Sequence, residues 1–182
     1  MKYVPWSKIS DWFCTACGKC CKEFKVPLRT YEMVLLANTF GFSCIEFGVS
    51  ATYLKRRLDG RCVFQVKRNG KMVCGIQPLK PVACKMWPFA VFESPHYEHS
   101  NEASFNFKNE TFYVYVNNYC RGLIYGSPSF RFINSVIPEF VELKLGLRMH
   151  QVRSTSLTIK IAAPKLKPPF TSDHELRRLW SS

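Results

Sequence analysis

The residues of this chain that can do chemistry as a group are its cysteines. Nine occur in 182 residues. Eight form a spaced series: Cys14-x2-Cys17-x2-Cys20-Cys21 is dense, and Cys62, Cys74, Cys84 and Cys120 follow at wider intervals. Such a set is either a disulfide framework or a group of metal ligands, and redox compartment decides between them. Met1 to Trp12 shows no apolar run behind a positive start and no small-residue cleavage site, so the expected location is the cytoplasm, where thiols stay reduced. No uncharged apolar run of about eighteen residues is present, which predicts no membrane span.

Thiolates are soft ligands that select iron-sulfur clusters, zinc or copper(I), whereas magnesium and calcium need grouped oxygens that this sequence does not offer. A four-cysteine zinc site and a [4Fe-4S] cluster suit an all-sulfur set about equally on chemistry alone, and eight thiolates suffice for two such centres. Paired C-x2-C groups at zinc-ribbon spacing are missing. The compressed C-x2-C-x2-C spacing is instead the kind found in ferredoxin-like clusters, which makes an iron-sulfur cluster, with [4Fe-4S] as the leading type, the first expectation and zinc the alternative.

The elements that must position these thiols are short. Thr30 opens a predicted helix through Thr39, with Met33, Leu36 and Ala37 on one face and Gly41 placed to end it. Cys62–Val66 and Met72–Cys74 flank an Asn69-Gly70 turn and predict one hairpin. Ser104–Phe107 and Thr111–Val116, turning at Lys108-Asn109, predict a second, favoured by their aromatic content. The acidic loop between the hairpins carries His96 and His99, read as surface residues. Phe130–Leu147 predicts a helix with Val136, Ile137, Phe140, Val141 and Leu145 along one side, started or kinked by Pro138. Ser156–Ile161 alternates as a strand would. The expected fold class is α+β: a small, irregular, metal-stabilised single domain of short hairpins and a few helices over 1–150, followed by a strand and an extended basic tail over 151–182.

Charge is concentrated. The net charge is +13. Residues 55–85 hold nine cations against Asp59 alone, and residues 148–182 hold seven against Asp173 and Glu175, so the excess lies in these two blocks. Clustered cations attract phosphate backbones or acidic surfaces through counterion release and steering. Arg56, Arg57, Arg61, Lys67, Arg68 and Lys71 are therefore the candidate nucleic-acid-binding residues. Trp6, Trp12 and Trp87 are expected in the core, with Trp180 the tryptophan best placed to stack on a base. The sequence shows no zinc-protease helix, nucleophile elbow, Walker loop or dinucleotide-binding glycine motif.

Several of these segments together resemble a known family, the YkgJ-like cysteine-cluster proteins with the CxxCxxCC zinc- or iron-chelating domain, which is also found in flagellin lysine-N-methylases. The resemblance is carried by Phe13-Cys14-Thr15-Ala16-Cys17-Gly18-Lys19-Cys20-Cys21, by Glu32, by Cys62-Val63-Phe64 and by Cys74-Gly75-Ile76-Gln77. It continues through Lys80-Pro81-Val82-Ala83-Cys84-Lys85-Met86-Trp87-Pro88 and Cys120-Arg121-Gly122 with Gly126. The chain departs from the usual family residues at Gln77 (Tyr), Lys80 and Lys85 (Arg) and Arg121 (Pro). The resemblance implies a metal centre on Cys14, Cys17, Cys20, Cys21, Cys62, Cys74, Cys84 and Cys120. Cys44 lies outside the pattern, and its apolar neighbours predict a buried small hydrophobe.

Two functions are then expected. The first is a basic accessory subunit that docks on nucleic acid or a ribonucleoprotein, or within a larger protein assembly. The second is a redox or protein-lysine-methylation component using an iron-sulfur cluster. Metal binding energy is expected to hold the cysteine-rich half folded, roughly residues 1–90.

Overall fold

The computed structural model describes residues 3–152. The expected strand Ser156–Ile161, the basic tail and Trp180 lie outside the described residues.

Strands β1 (Tyr3–Pro5) and β2 (Ile9–Trp12) open the chain, followed by the short helix α1 (Cys20–Glu23) and helix α2 (Thr30–Phe40). The hairpin β3 (Ile45–Phe47) and β4 (Thr52–Leu54) comes next, then the hairpin β5 (Gln65–Arg68) and β6 (Lys71–Cys74). Helix α3 (Val82–Met86), strand β7 (Phe89–Phe92), helix α4 (Ser100–Ala103) and strands β8 (Ser104–Phe107), β9 (Glu110–Asn117) and β10 (Leu123–Tyr125) lead to helix α5 (Ile137–Leu145). The class is α+β, with short antiparallel strand pairs and five α-helices among the described residues.

β9 is the hub of the largest sheet. β7 pairs with it through Phe89↔Val116 and Phe92↔Tyr113 along one edge. On the other edge, β1 and β8 lie end to end, Pro5 opposite Tyr115 and Ser104 opposite Tyr113. Val114, Tyr115 and Val116 are all fully buried, because both faces of β9 are covered. α5 and the turns before it cover one face: Phe140 stacks on Phe89 at 4.1 Å, and Trp12 meets both rings edge-on at 5.4 Å. The acidic loop covers the other face, where Tyr115 Oη donates to the Tyr97 carbonyl and the Tyr97 ring stacks on Tyr3.

A second, smaller core lies under α2. Leu36 and Ala37 pack with Val26, Cys44, Ile45, Leu54 and Ile76. Gly41, at φ +79°, ends α2 as its sequence position predicts. The β5–β6 hairpin turns at Asn69 and Gly70, both with positive φ, as a two-residue hairpin turn requires. The second predicted hairpin forms with Lys108 and Asn109 likewise at positive φ.

The predicted helix over 130–147 is interrupted. Residues Phe132–Val136 form a π-helical turn, Ile137 N–H donating to the Phe132 carbonyl, and α5 begins only afterwards. Pro138 explains the break: it has no N–H for the Asn134 carbonyl, and the wider turn moves that carbonyl out of the ring's path. Leu145 was expected on the buried side but is exposed at 37%, and Leu143 takes the core position.

Candidate metal centre

The hairpin, the small helices and the β2–β10 pair all deliver cysteines to one place. Cys14, Cys17, Cys20, Cys21, Cys62, Cys74, Cys84 and Cys120 line a single cavity of about 110 Å³, several times the space one water needs. The dense motif folds as a loop running into α1. Gly18 has φ +72°, and a Cβ there would meet Gln65 Nε2 at 2.3 Å and Met72 Cβ at 2.6 Å, so the loop presses directly on the β5–β6 hairpin. Two bonds fix that contact: Gln65 Nε2 donates to the Gly18 carbonyl at 3.0 Å, and Met72 N–H to the Ala16 carbonyl at 2.8 Å. Cys74 is thereby placed opposite the loop. Cys62 is attached to α1 by its N–H, which donates to the Cys21 carbonyl at 2.8 Å.

Cys84 enters on α3, whose start is capped from another element. Glu32, 6% exposed, accepts from Val82 N–H at the first residue of α3 and from Arg29 N–H at the start of α2. One buried carboxylate thus ties two helix N-termini together, which suits a negative charge. Cys120 is held by an extension of the β2–β10 ladder, Phe13 N–H donating to the Gly122 carbonyl at 3.0 Å. The strands approach so closely that a Cβ on Gly122 would lie 1.9 Å from the Phe13 carbonyl oxygen.

The electrostatics of the chamber favour a bound cation. Burial pushes the thiols of Cys62, Cys74, Cys84 and Cys120 upward, because bare thiolates lose hydration there. Cys20 and Cys21 are in hydrogen-bond contact at an Sγ–Sγ distance of 3.8 Å. The Cys21 thiol donates to Cys20 and, with Lys80 adding, holds Cys20 at about 7, while Cys21 itself is pushed up. Lys80 lines the chamber and donates to Gln151 Oε1 at 2.9 Å. One lysine cannot offset several thiolates, whereas a soft metal can. All-thiol donors, apolar walls and room for more than one atom therefore fit a zinc- or iron-based group. Among the described residues no three His, Cys, Asp or Glu side chains are gathered to hold a single ion as they stand; neutral thiols have no mutual attraction to draw them in.

The other residues singled out in the sequence fall elsewhere. Cys44 is 5% exposed in the second core, bonded to the Gly41 carbonyl, and is not in the chamber wall. His96 stacks on Phe92, and His99 pairs with Glu102, both away from the cavity. Of the six basic candidates, Lys67, Arg68 and Lys71 are exposed at the hairpin tip. Arg57 donates to the Val63 and Gln65 carbonyls, Arg61 pairs with Asp59 at 3.5 Å, and Arg56 is half-buried. Trp12 and Trp87 belong to the chamber wall, Trp87 against Phe24. Gln65, Gln151 and the wall position of Lys80 were not foreseen as site residues. Lys80-Pro81 beside Cys84 was the available signal for Lys80; Gln65 and Gln151 give none.

Among the described residues, no helix is long and apolar enough to cross a membrane. Neither the curated proteins nor the solved structures yield a match to the chain. A family model does match, over residues 13–121, under the description "Putative zinc- or iron-chelating domain". That span begins one residue before Cys14 and ends one after Cys120, taking in all eight thiols of the chamber, and the chain belongs to the CxxCxxCC family of zinc- or iron-chelating domains.

Proposed function

We propose that this protein is an iron-sulfur protein of the cytoplasm. The observation that carries this reading is the convergence of eight thiols on one chamber. A single tetrahedral zinc uses four ligands, so half of the donors would be idle. The compressed spacing of Cys14, Cys17 and Cys20 is that of cluster loops, with [4Fe-4S] the favoured type. A reducing compartment is what keeps such a donor set unoxidised. Anaerobic purification with visible absorption and analysis of iron, sulfide and zinc tests it. Broad visible absorption with matched iron and sulfide is expected, and a colourless protein with stoichiometric zinc overturns it.

A second reading, docking on nucleic acid or a ribonucleoprotein, is favoured by the β5–β6 hairpin. Its tip presents Lys67, Arg68 and Lys71, all exposed, on a two-stranded ribbon rooted in the chamber at Cys74. Replacing the three by alanine is expected to weaken RNA binding and to reduce the slope of log affinity against log salt by about 2 to 3, as loss of three phosphate contacts requires. Unchanged affinity and slope would exclude the hairpin. The alternative role in redox chemistry or lysine methylation draws on family resemblance, and no side chain of the chamber other than its thiols favours it.

A further inference from the structure

The eight thiols do not form one even ring. Cys20, Cys21, Cys62, Cys74 and Cys84 are one another's electrostatic neighbours, and Lys80 acts on Cys20, Cys74 and Cys84. Cys120 has Cys14 and Cys17 as its thiol neighbours instead. Packing divides them the same way: Cys62, Cys74 and Cys84 lie against the core under α2, while Cys14 and Cys120 lie against the core of the large sheet. The backbone explains the division. Cys14 and Cys120 lie just beyond the same end of the β2–β10 ladder, where Trp12 pairs with Leu123 and the Phe13–Gly122 bond continues it, and Lys19 spans the same junction with its ammonium over the Tyr119 ring at 4.7 Å. Cys20 has by then turned into α1, where the Cys62 and Cys21 backbones are bonded.

The ends also differ in exposure. Cys17 is exposed, whereas the other seven chamber cysteines are half-buried. Behind the smaller group stands Trp12, 2% exposed, whose Nε1–H is buried without a well-formed hydrogen bond. Its indole lines the chamber next to the Cys120 thiol. A metal-bound thiolate would supply the missing acceptor.

We propose that the chamber holds two metal centres of unequal coordination: a closed one on four of Cys20, Cys21, Cys62, Cys74 and Cys84, and an open one on Cys14, Cys17 and Cys120. The open centre has three thiolates from the chain and leaves a position beside exposed Cys17 for a small soft donor, a thiol or cyanide. The inference rests on the reading that the chamber binds metal, and it asks how the ligands are shared. A vacant position is the usual mark of a metal site that binds an exogenous ligand, as opposed to a purely structural one.

The test uses the full chain, reconstituted anaerobically with iron and sulfide, beside Cys17→Ser and the triple variant Cys14→Ser, Cys17→Ser, Cys120→Ser. Wild type should show two cluster populations by Mössbauer and electron paramagnetic resonance spectroscopy, with cyanide shifting one. The triple variant should lose about half of the iron and all cyanide response while the remaining signal persists. Cys17→Ser, a change at an exposed position, should alter only the cyanide-sensitive population; circular dichroism establishes that it is folded. Zinc loading separates this inference from the iron-sulfur reading. If the protein proves to be a zinc protein, wild type should still take about two equivalents and the triple variant about one. A folded triple variant that binds no metal, or binds as much as wild type, overturns the division. An unshifted wild-type spectrum in cyanide overturns the open position. Failure of wild type to bind either metal overturns the division together with the reading beneath it.

Discussion

The two cores of this protein are built on different terms. The core of the large sheet has fourteen buried apolar residues, among them Phe89, Phe112, Phe132 and Phe140, and β9, buried from Val114 to Asn117, is paired on both edges. The core under α2 has seven, two of them Ala37 and Cys44, and its half-buried rim includes cysteines 62, 74 and 84 beside Leu28, Met33, Phe40, Val63, Phe64 and Leu79. By area burial the first can stand alone; the second is short of apolar surface where a metal would sit. The comparison teaches that the chamber is a joint: one side rests on a finished hydrophobic core, and the other is completed by what the thiols bind.

Removing the metal is the largest way to break the comparison. Structural metal sites contribute apparent free energies on the order of 10–16 kcal/mol to the folds that need them. Chelation is expected to abolish hydrogen-exchange protection in α2 and the β3–β4 and β5–β6 hairpins, while β9 and α5 keep theirs. The sequence alone suggests that residues 1–90 would unfold together. In the fold, β1, β2 and Phe89 belong to the large sheet's core, so the dependent region is narrower, roughly from α1 to α3. Uniform loss of protection in both cores would show that they are one cooperative unit.

Acidification should act on the same joint through its protons. Ligation requires thiolates, and burial raises Cys62, Cys74, Cys84 and Cys120 above the ordinary thiol value. Protons therefore compete with metal more strongly as pH falls, and affinity should drop about tenfold per pH unit for each proton released on binding. The metal-free protein has the opposite sign through Cys120, whose thiol packs on the large sheet's core, the one that stays folded after chelation. A raised folded pKa gives stability that is fully present below the unfolded value of about 8.5 and is lost as pH climbs through the folded values. Chelated protein should thus melt at lower temperature at about pH 9.5 than at about pH 7.5, while metal is held more tightly at the higher pH. Parallel trends in the two states would mean that the buried thiols are not the ligands.

Truncation in each core sharpens the contrast. Phe140→Ala removes a ring that stacks on Phe89 and meets Trp12, and should cost about 3–5 kcal/mol. The loss should be the same with and without chelator, because Phe140 does not line the chamber. Leu36→Ala, 1% exposed in the second core, should cost about 2–5 kcal/mol in the metal-bound protein. After chelation it should cost nothing further, since its core is already open. Denaturant melts of the four preparations check both statements, and a Leu36 effect that survives chelation would return the second core to self-sufficiency.

Much of this was legible in the residues. The thiol spacing announces a metal site because ligand geometry is local within the Cys14–Cys21 loop, and α2 and both predicted hairpins carry their own stop and turn residues in Gly41, Asn69-Gly70 and Lys108-Asn109. Strands of three or four residues such as β1, β2, β7 and β10 are too short for a periodicity of their own; they are strands because β9 or a partner pairs with them. The partition of the thiols was likewise invisible. It arises from the pairing of β2 with β10 across more than a hundred residues, and no local spacing encodes it.

Glu32 is where the smallest of these effects meets the chamber. Its two carboxylate oxygens accept from backbone N–H groups at the starts of α2 and α3, and α3 carries Cys84. A carboxamide in its place keeps one acceptor oxygen and turns the other into a donor facing an N–H, so Glu32→Gln should break one bond and leave a buried amide opposed. Hydrogen bonds to charged groups are worth about 1.5–3 kcal/mol, and that is the expected loss in the second core. Both of these bonds run to the starts of α2 and α3, so the first core should be unmoved. If α3 is the element that brings Cys84 to its metal, the variant should also release metal faster under chelator, at a rate that Leu36→Ala, which leaves the α2–α3 tie intact, does not match. Equal release from the two variants would make Glu32 a stabiliser of α2 alone, and the position of Cys84 would then be set by the turn at Pro81.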